Sequence, residues 1–426
     1  MKRGSLFSAI LILSISGCGL GKGPATDDLK VEIEDNSVKA EILKAEDNST
    51  SAEATAEISA AQQEAVLEKT EDTVSAPEPV AEEVQDKTVT ICMVGDILLH
   101  TPVEEVSKAE GGSYDFHPIF SNLKDEISSY DIAVVNEEVI IGGEELGISG
   151  YPAFNAPYAI GDALVDSGFD VICHATNHVL DKGKQGVLNT CSFWEEHYPD
   201  ITVLGINRTA KDEERVDIIE KNGIRIALLN YTYGTNGIAA PSDLPYAVDM
   251  LREDKVIREL DYAEENADFT IVFPHWGTEY RLTPDDSQKK WTSIFKEHGA
   301  DLVIGTHPHV IEPIEYVDDQ MLVYYSLGNF VNWTSGTGDG VTARMVGGLA
   351  EVTLKKGKDN TVNIADYGVE ALVCHVSDEK HGVTVYPLSD YPQELSDVNA
   401  ITAQDPSFSK DHCIEICNEV WGDLWK

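Results

Sequence analysis

The sequence predicts an α/β protein, with parallel or mixed sheet flanked by helices, on three observations. Short, apolar, β-branched runs recur along the chain, and each is followed at once by a polar segment. Helix-length patterns lie between them, so strand and helix alternate. After Pro313 the pattern changes to short strands and turns, which predicts a second sheet.

The runs are Val89-Thr90-Ile91-Cys92-Met93-Val94, Ile132-Ala133-Val134-Val135, Phe169-Asp170-Val171-Ile172-Cys173, Phe269-Thr270-Ile271-Val272-Phe273 and Leu302-Val303-Ile304. Their near-continuous apolar character suits strands buried on both faces. Helices are predicted over Pro157 to Ser167, Lys184 to His197, Val248 to Asn266 and Asp285 to His298. The later strands are Glu315-Tyr316-Val317, Met321 to Ser326, Gly348 to Leu354 and Asn363 to His375.

The N-terminal residues stand apart. Met1-Lys2-Arg3 precedes an apolar stretch from Leu6 to Ile15, too short to span a bilayer but the right length for a secretory signal. It ends in Ile15-Ser16-Gly17-Cys18, which resembles a bacterial lipoprotein cleavage box with Cys18 lipidated. Residues 1–18 are therefore read as a signal peptide. Residues 19–87 carry 18 Asp or Glu against 6 Lys and no aromatic residue, the composition of a disordered acidic tether. Residues 88–426 form the folded domain. These readings place the domain at the cell membrane, lipid-anchored on the extracellular side.

The formal charge of −44, with no basic patch, excludes nucleic acid as a partner. An anionic substrate needs a local positive centre against that field, and bound divalent metal supplies one. Cys92 and Cys173 lie inside strand-like runs and read as small core residues. Cys413 and Cys417 have a helical spacing that puts them on one face, which leaves a pairing open. No cysteine has a catalytic setting, and no Gly-x-Ser-x-Gly elbow accompanies the motifs.

The polar segments after the strands are Gly95-Asp96, Asn136-Glu137-Glu138, Thr176-Asn177-His178, Pro274-His275-Trp276 and Thr306-His307-Pro308-His309. Loops beyond strand ends are where α/β proteins gather ligands, so five such segments predict one polar centre. Alone, Gly95-Asp96 reads as a turn and Asn177-His178 as a hydrogen-bonded buried pair. The pair His307 and His309 says more. Alternation along an extended segment puts both imidazoles on one side, with Pro308 stiffening the backbone. His100, His117, His174 and His375 have no motif support and read as ordinary.

Six motifs in order, from about Val89 to Tyr391, resemble the CapA family of bacterial capsule or poly-γ-glutamate synthesis proteins, within the calcineurin-like metallophosphoesterase superfamily. They are Gly95-Asp96; Asn136-Glu137-Glu138; Ala175-Thr176-Asn177-His178 with Asp181 and Gly183; His275-Trp276-Gly277-Thr278-Glu279-Tyr280; Gly305-Thr306-His307-Pro308-His309-Val310; and Ser326-Leu327-Gly328-Asn329-Phe330. The resemblance implies a four-layer α/β/β/α sandwich of the calcineurin-like metallophosphatase fold. It implies that Asp96, Glu138, Asn177, His275, His307 and His309 are metal ligands and that His178 is the acid/base group. Leu98 stands where the superfamily usually places a His, which removes a ligand of one metal. Glu137 and Thr176 also depart from the family pattern, and Glu137 leaves the carboxylate ligand open to a one-residue error.

Carboxylates, imidazoles and an amide oxygen suit Mn, Fe or Zn better than Ca or Mg, as one or two ions. Such a set favours metal-activated water and hydrolysis or transfer at a phosphoester or amide centre. The implied partners are an anionic envelope polymer or its precursor, the membrane through the lipid anchor, and capsule-synthesis membrane proteins. Three readings follow: a metal-dependent, phosphoesterase-like hydrolase; a non-catalytic accessory protein that binds or guides polymer; and a binding protein with a structural metal.

Overall fold

Four strands begin the described part of the chain as a parallel array: β1 (Lys87–Leu98), β2 (Ile132–Glu137), β3 (Val171–Cys173) and β4 (Thr202–Leu204). The computed structural model describes residues Lys87–Lys426, so the expected signal peptide, Cys18 and the expected acidic tether lie outside the described residues, save Lys87, which the structure places in β1. Every residue of β2 is buried, as its apolar run requires.

A second sheet follows, from β5 (Asp217–Lys221), β6 (Ile224–Thr232), β7 (Phe269–His275), β8 (Leu302–Ile304), β9 (Ile314–Val317) and β10 (Met321–Tyr324), in the order β5-β6-β7-β8-β10-β9. The chain then returns to the first sheet. β11 (Asn329–Asn332) pairs parallel with the end of β1, and β12 (Val346–Lys356), β13 (Val362–Val376) and β14 (Val383–Pro387) extend the other edge antiparallel.

A second sheet is thus present, but its membership differs from the sequence reading. Of the strands after Pro313, only β9 and β10 join it. Its first members are the hairpin β5-β6, turned at Asn222-Gly223 with φ of 51° and 74°. Positive φ at both turn residues matches the right-handed twist of the flanking strands, and Asn-Gly tolerates it.

The two sheets share one apolar core. Ile226 and Leu228, Ile271 and Phe273, Leu302 and Ile304, and Leu322 and Tyr324 meet the residues of β1 and β2 there. Their strand neighbours Leu229, Val272, Val303 and Val323 point the other way, onto Val256 and Leu260 of the helix Glu253–Asn266 and Trp291 and Phe295 of the helix Asp286–Glu297. The helices Ala159–Asp166 and Gly183–His197 pack on the first sheet through Ile160, Leu164, Phe193 and Trp194. The layering is α/β/β/α, as expected.

One helix starts later than its apolar pattern suggested. Val248 and Met250 bridge Ile206 and Thr232, while the amides of Asp249 and Leu251 donate to Gly205 and Thr232 carbonyls. Tertiary pairing thus holds Val248–Leu251 extended across the ends of both sheets, and the helix begins at Glu253. Asp285 caps the helix Asp286–Glu297 reciprocally with Gln288, which fixes its start.

The six described cysteines are buried and unpaired, Cys413 and Cys417 included, on the helix Lys410–Trp421. Burial pushes the Cys413 thiol up to about 12, which makes it a poor nucleophile. No helix among the described residues is long and apolar enough to cross a membrane.

Candidate metal centre

The five polar segments all lie at carboxyl ends of parallel strands. Asp96 sits near the end of β1, Glu138 directly follows β2, and Asn177 and His178 occupy the loop after β3. The second sheet contributes His275, the last residue of β7, and His307 and His309 from the loop after β8. Each sheet therefore supplies part of one cluster, and the six residues expected to ligate metal come together in it.

Close backbone contact places Asp96. A Cβ on Gly95 would come within 2.0 Å of the Gly328 carbonyl oxygen, and Gly328 itself has a φ of 64°. The Asp96 amide donates to that carbonyl at 3.0 Å. The register of β1 against both β2 and β11 shifts at this point, so the strand bulges and re-aims the aspartate. Its carboxylate makes no turn of its own. Oδ1 accepts from Asn136 Nδ2 at 2.8 Å, and Oδ2 accepts from the His307 amide at 3.1 Å and lies 3.3 Å from His309 Nδ1.

Three overlapping sets of side chains are grouped closely enough to hold an ion: Glu138, His275 and His307; Asp96, Glu138 and His309; and Glu279, His307 and His309, with donor atoms in each set all within 4.8 Å of one another. Glu138 belongs to two of them. Its Oε1 lies 3.7 Å from both His275 Nε2 and His309 Nε2, and Asn177 Oδ1 lies 2.9 Å from His275 Nε2. Both Glu138 carboxylate oxygens and His307 Nδ1 are buried with no hydrogen-bond partner among the described residues. A buried carboxylate with no hydrogen bond is unfavourable unless cations close by neutralise it, and the two imidazoles stand 3.7 Å off, so the donor set fits a divalent metal between them.

His307 and His309 converge by a route the sequence reading did not anticipate. Instead of an extended segment, their φ angles are 99° and 59°, in the left-handed region that disfavours side chains. Such strain, of order 1–3 kcal/mol per residue, persists only where surrounding bonds over-determine it. Here Asp96 holds the His307 amide, Asn329 Nδ2 donates to the His309 carbonyl at 3.0 Å, and the Tyr280 amide donates to the Pro308 carbonyl at 2.7 Å.

The electrostatics sort the three imidazoles. Burial, reinforced by the neighbouring histidines, holds His275 and His307 well below the ordinary histidine value, so they are neutral donors. Burial also opposes charge on His309, but Glu138 and Asp96 beside it override that and raise its pKa to about 9. Burial pushes Glu138 well above the usual carboxylate range, with His309 pulling it back and Asp96 adding to the rise. Glu137 is buried too and raised by burial and by Glu138, but it belongs to none of the three sets.

His178 lies at the edge of this cluster, lining a cavity of about 640 Å³ together with Asn177, Asp181 and Glu279. Its Nδ1 contacts Asp181 Oδ2 at 2.7 Å and its ring packs edge-on against Phe154 at 4.6 Å. Nε2 bonds to none of the described residues and remains available to a bound molecule.

Asn329 and Thr306, both within the motifs, face the cluster: Asn329 Oδ1 lies 3.0 Å from His309 Nδ1 and Thr306 Oγ1 3.1 Å from His275 Nδ1. Sequence reasoning missed Tyr233, whose ring lies 4.5 Å from that of His307, tilted by 40°. Leu98 is buried in β1 and offers no donor. His100, read as ordinary, lines the cavity, with burial lowering its pKa to about 4. His174 and His375 are structural, bonded to Trp194 and Tyr391.

The family model for the bacterial capsule synthesis protein PGA_cap matches residues 90–334. The capsule biosynthesis protein CapA of Bacillus anthracis is 29% identical over 264 residues, 59% of this chain and 62% of that protein, so the chain spans less than two thirds of that relative's length. The PGA biosynthesis protein CapA of Bacillus subtilis (strain 168) is 28% identical over 274 residues, 61% of this chain and 68% of that protein. Among solved structures, a 5′-nucleotidase precursor from Thermus thermophilus aligns with a TM-score of 0.41 and 14% identity, over 67% of this chain and 54% of that one. The NAD nucleotidase of Haemophilus influenzae aligns with a TM-score of 0.41 and 11% identity, over 80% and 64%.

Proposed function

This chain belongs to the bacterial capsule synthesis family PGA_cap, and from that premise we propose that it is a cell-envelope protein of capsule or poly-γ-glutamate biosynthesis or export, carrying a metal-dependent, phosphoesterase-like hydrolase site. Its substrate is an anionic envelope polymer or the precursor of one. Lipid on Cys18 holds it at the outer face of the cell membrane, beside the membrane proteins of capsule synthesis, and residues 19–87 tether the folded domain.

The observation that carries the hydrolase reading is the Glu138 carboxylate, buried among His275, His307 and His309 with no hydrogen bond to either oxygen. With Asp96 and Asn177 these residues would hold one or two ions of Mn, Fe or Zn. A bound ion of this kind supplies Lewis acidity and water acidic enough to ionise near neutral pH. Asp181 orients His178 through Nδ1, which leaves Nε2 to deliver a proton to the leaving group. Asn136 and Thr306 hold Asp96 and His275 in place, the outer hydrogen bonds that ligands of a working site require.

The purified chain, loaded with Mn²⁺ or Zn²⁺ and screened over generic phosphoesters and γ-glutamyl polymers, tests the reading. Turnover abolished by chelation and restored by metal supports it. Metal uptake without turnover on either class overturns the hydrolase reading in favour of a polymer-binding accessory protein. Release of the Cys18→Ser chain from the membrane fraction tests the anchor.

A further inference from the structure

Arg344 is a cation out of place in a strongly acidic chain. It sits on the short helical turn Thr342–Met345, just before β12, beyond the residues that the family model matches. Its guanidinium carbon lies 3.7 Å from the centre of the Tyr280 ring, and it lines the same cavity as Asn177 and His178. No Asp or Glu among the described residues forms an ion pair with it. Its Nε is buried and donates to nothing described. Guanidinium carries five donors in a planar fork and never loses its charge, so a half-buried one without an acceptor is unfavourable as it stands.

The backbone under Arg344 is fixed relative to the metal cluster. Asn329 Nδ2 donates to the Arg344 carbonyl at 2.8 Å and also to the His309 carbonyl, while its Oδ1 meets His309 Nδ1. Asn332 adds a second bond to the Arg344 carbonyl, and Asp405 accepts from both the amide and the hydroxyl of Thr342. One asparagine thus links a candidate ligand to the turn that carries the arginine, and the Tyr280 ring lies against the guanidinium at the cavity wall.

We propose that Arg344 is a specificity-determining residue that receives an oxyanion of the substrate, a carboxylate or a phosphate, while the adjoining cluster acts on a neighbouring bond. The inference rests on the site described under the proposed function and gives that site its preference for an anionic chain. A forked donor set suits bidentate capture of either oxyanion. It also gives an anionic polymer a cationic foothold on so acidic a domain: the cavity wall, which carries Asp181 and Glu279 as well, presents a guanidinium that no carboxylate among the described residues pairs with.

The test is titration of the full chain with two probes, a γ-linked glutamate oligomer and inorganic phosphate, each with Mn²⁺ present and with chelator. Wild type is compared with Arg344→Met, Arg344→Lys and Tyr280→Leu, and metal content is measured in every sample. Arg344→Met is expected to weaken at least one probe about 10- to 100-fold and to flatten the salt dependence of its binding, at unchanged metal content. Arg344→Lys recovers part of the loss, and Tyr280→Leu, which keeps the charge but removes its support, loses less than Arg344→Met. The probe that responds identifies the oxyanion. Wild-type affinity for both probes in Arg344→Met, or no binding of either by the wild-type chain, overturns the proposal. Failure of wild type to take up metal overturns the metal site instead, and the chelator arm still reads the arginine.

Discussion

Replacing Glu138 by Gln separates a metal centre from a merely polar core, because the two predict opposite changes in stability. The substitution keeps the shape and removes the charge. A carboxylate interacting with a divalent ion over about 4 Å at an effective dielectric of about 20 gains roughly 8 kcal/mol before desolvation is subtracted. If half of that survives, its loss weakens metal binding by about 4 kcal/mol, near a thousandfold. Without metal the sign reverses. The Glu138 carboxyl is buried, raised well above its ordinary pKa and without a hydrogen-bond partner, so in chelator the variant is expected to be more stable by about 1–3 kcal/mol. Equilibrium dialysis with elemental analysis reads the first effect, and thermal unfolding with and without chelator reads the second. Glu137→Gln serves as the control, since Glu137 belongs to none of the donor sets, and should retain metal. Metal binding of wild-type strength in Glu138→Gln, or loss of metal in Glu137→Gln alone, would refute the reasoning.

Three further outcomes are expected. His178→Ala keeps its metal but loses hydrolysis by about 100-fold or more, and Asp181→Asn shows a smaller loss, both read as kcat on metal-loaded protein. Gly95→Ala forces β1 away from the Gly328 carbonyl, and is expected to lower stability by about 1–3 kcal/mol and to weaken metal uptake by shifting Asp96. Glu312 is buried, bonded to Gln288 through Oε2 and unpaired at Oε1, and burial raises its pKa from 4.5 to about 8. The folded chain therefore holds this proton more tightly than the unfolded one. The resulting stabilisation is complete below about pH 4.5 and is lost as pH rises towards 8. The wild-type Tm is expected to fall over that range, by an amount equivalent to at most about 5 kcal/mol. Glu312→Gln should flatten the decline; an unchanged profile would exclude Glu312 as its source.

The strands and the polar segments beyond them were legible in the sequence because both follow from short-range pattern. A buried parallel strand must be apolar throughout, and the polar residues beyond it have nowhere else to be than a strand-end loop. That pattern grouped the five polar segments, and the family resemblance then named Asp96, Glu138, Asn177, His275, His307 and His309 within them. The backbone that aims two of them could not: alternation describes strands, whereas His307 and His309 sit in a left-handed turn held by Asp96, Asn329 and Tyr280 from elsewhere in the chain. Tertiary pairing also overrode local pattern at Val248–Leu251, where bridges to Ile206 and Thr232 outweigh the apolar periodicity of the following helix. The β5-β6 hairpin did carry a local signal, Asn222-Gly223 between two strand-forming runs, and was readable on turn chemistry alone. Arg344 carried none. An arginine beside β12 has no spacing that ties it to a cavity formed by loops from both sheets.

The central claim is that the cluster around Glu138 binds divalent metal and hydrolyses with it. The most direct measurement is the metal content of the purified full chain, taken before chelation, after chelation and after restoration, with the phosphoester hydrolysis rate recorded on the same samples. The account predicts one or two ions per chain and a rate that disappears and returns with them. A chain that takes up no ion, or one whose rate is indifferent to chelation, contradicts it.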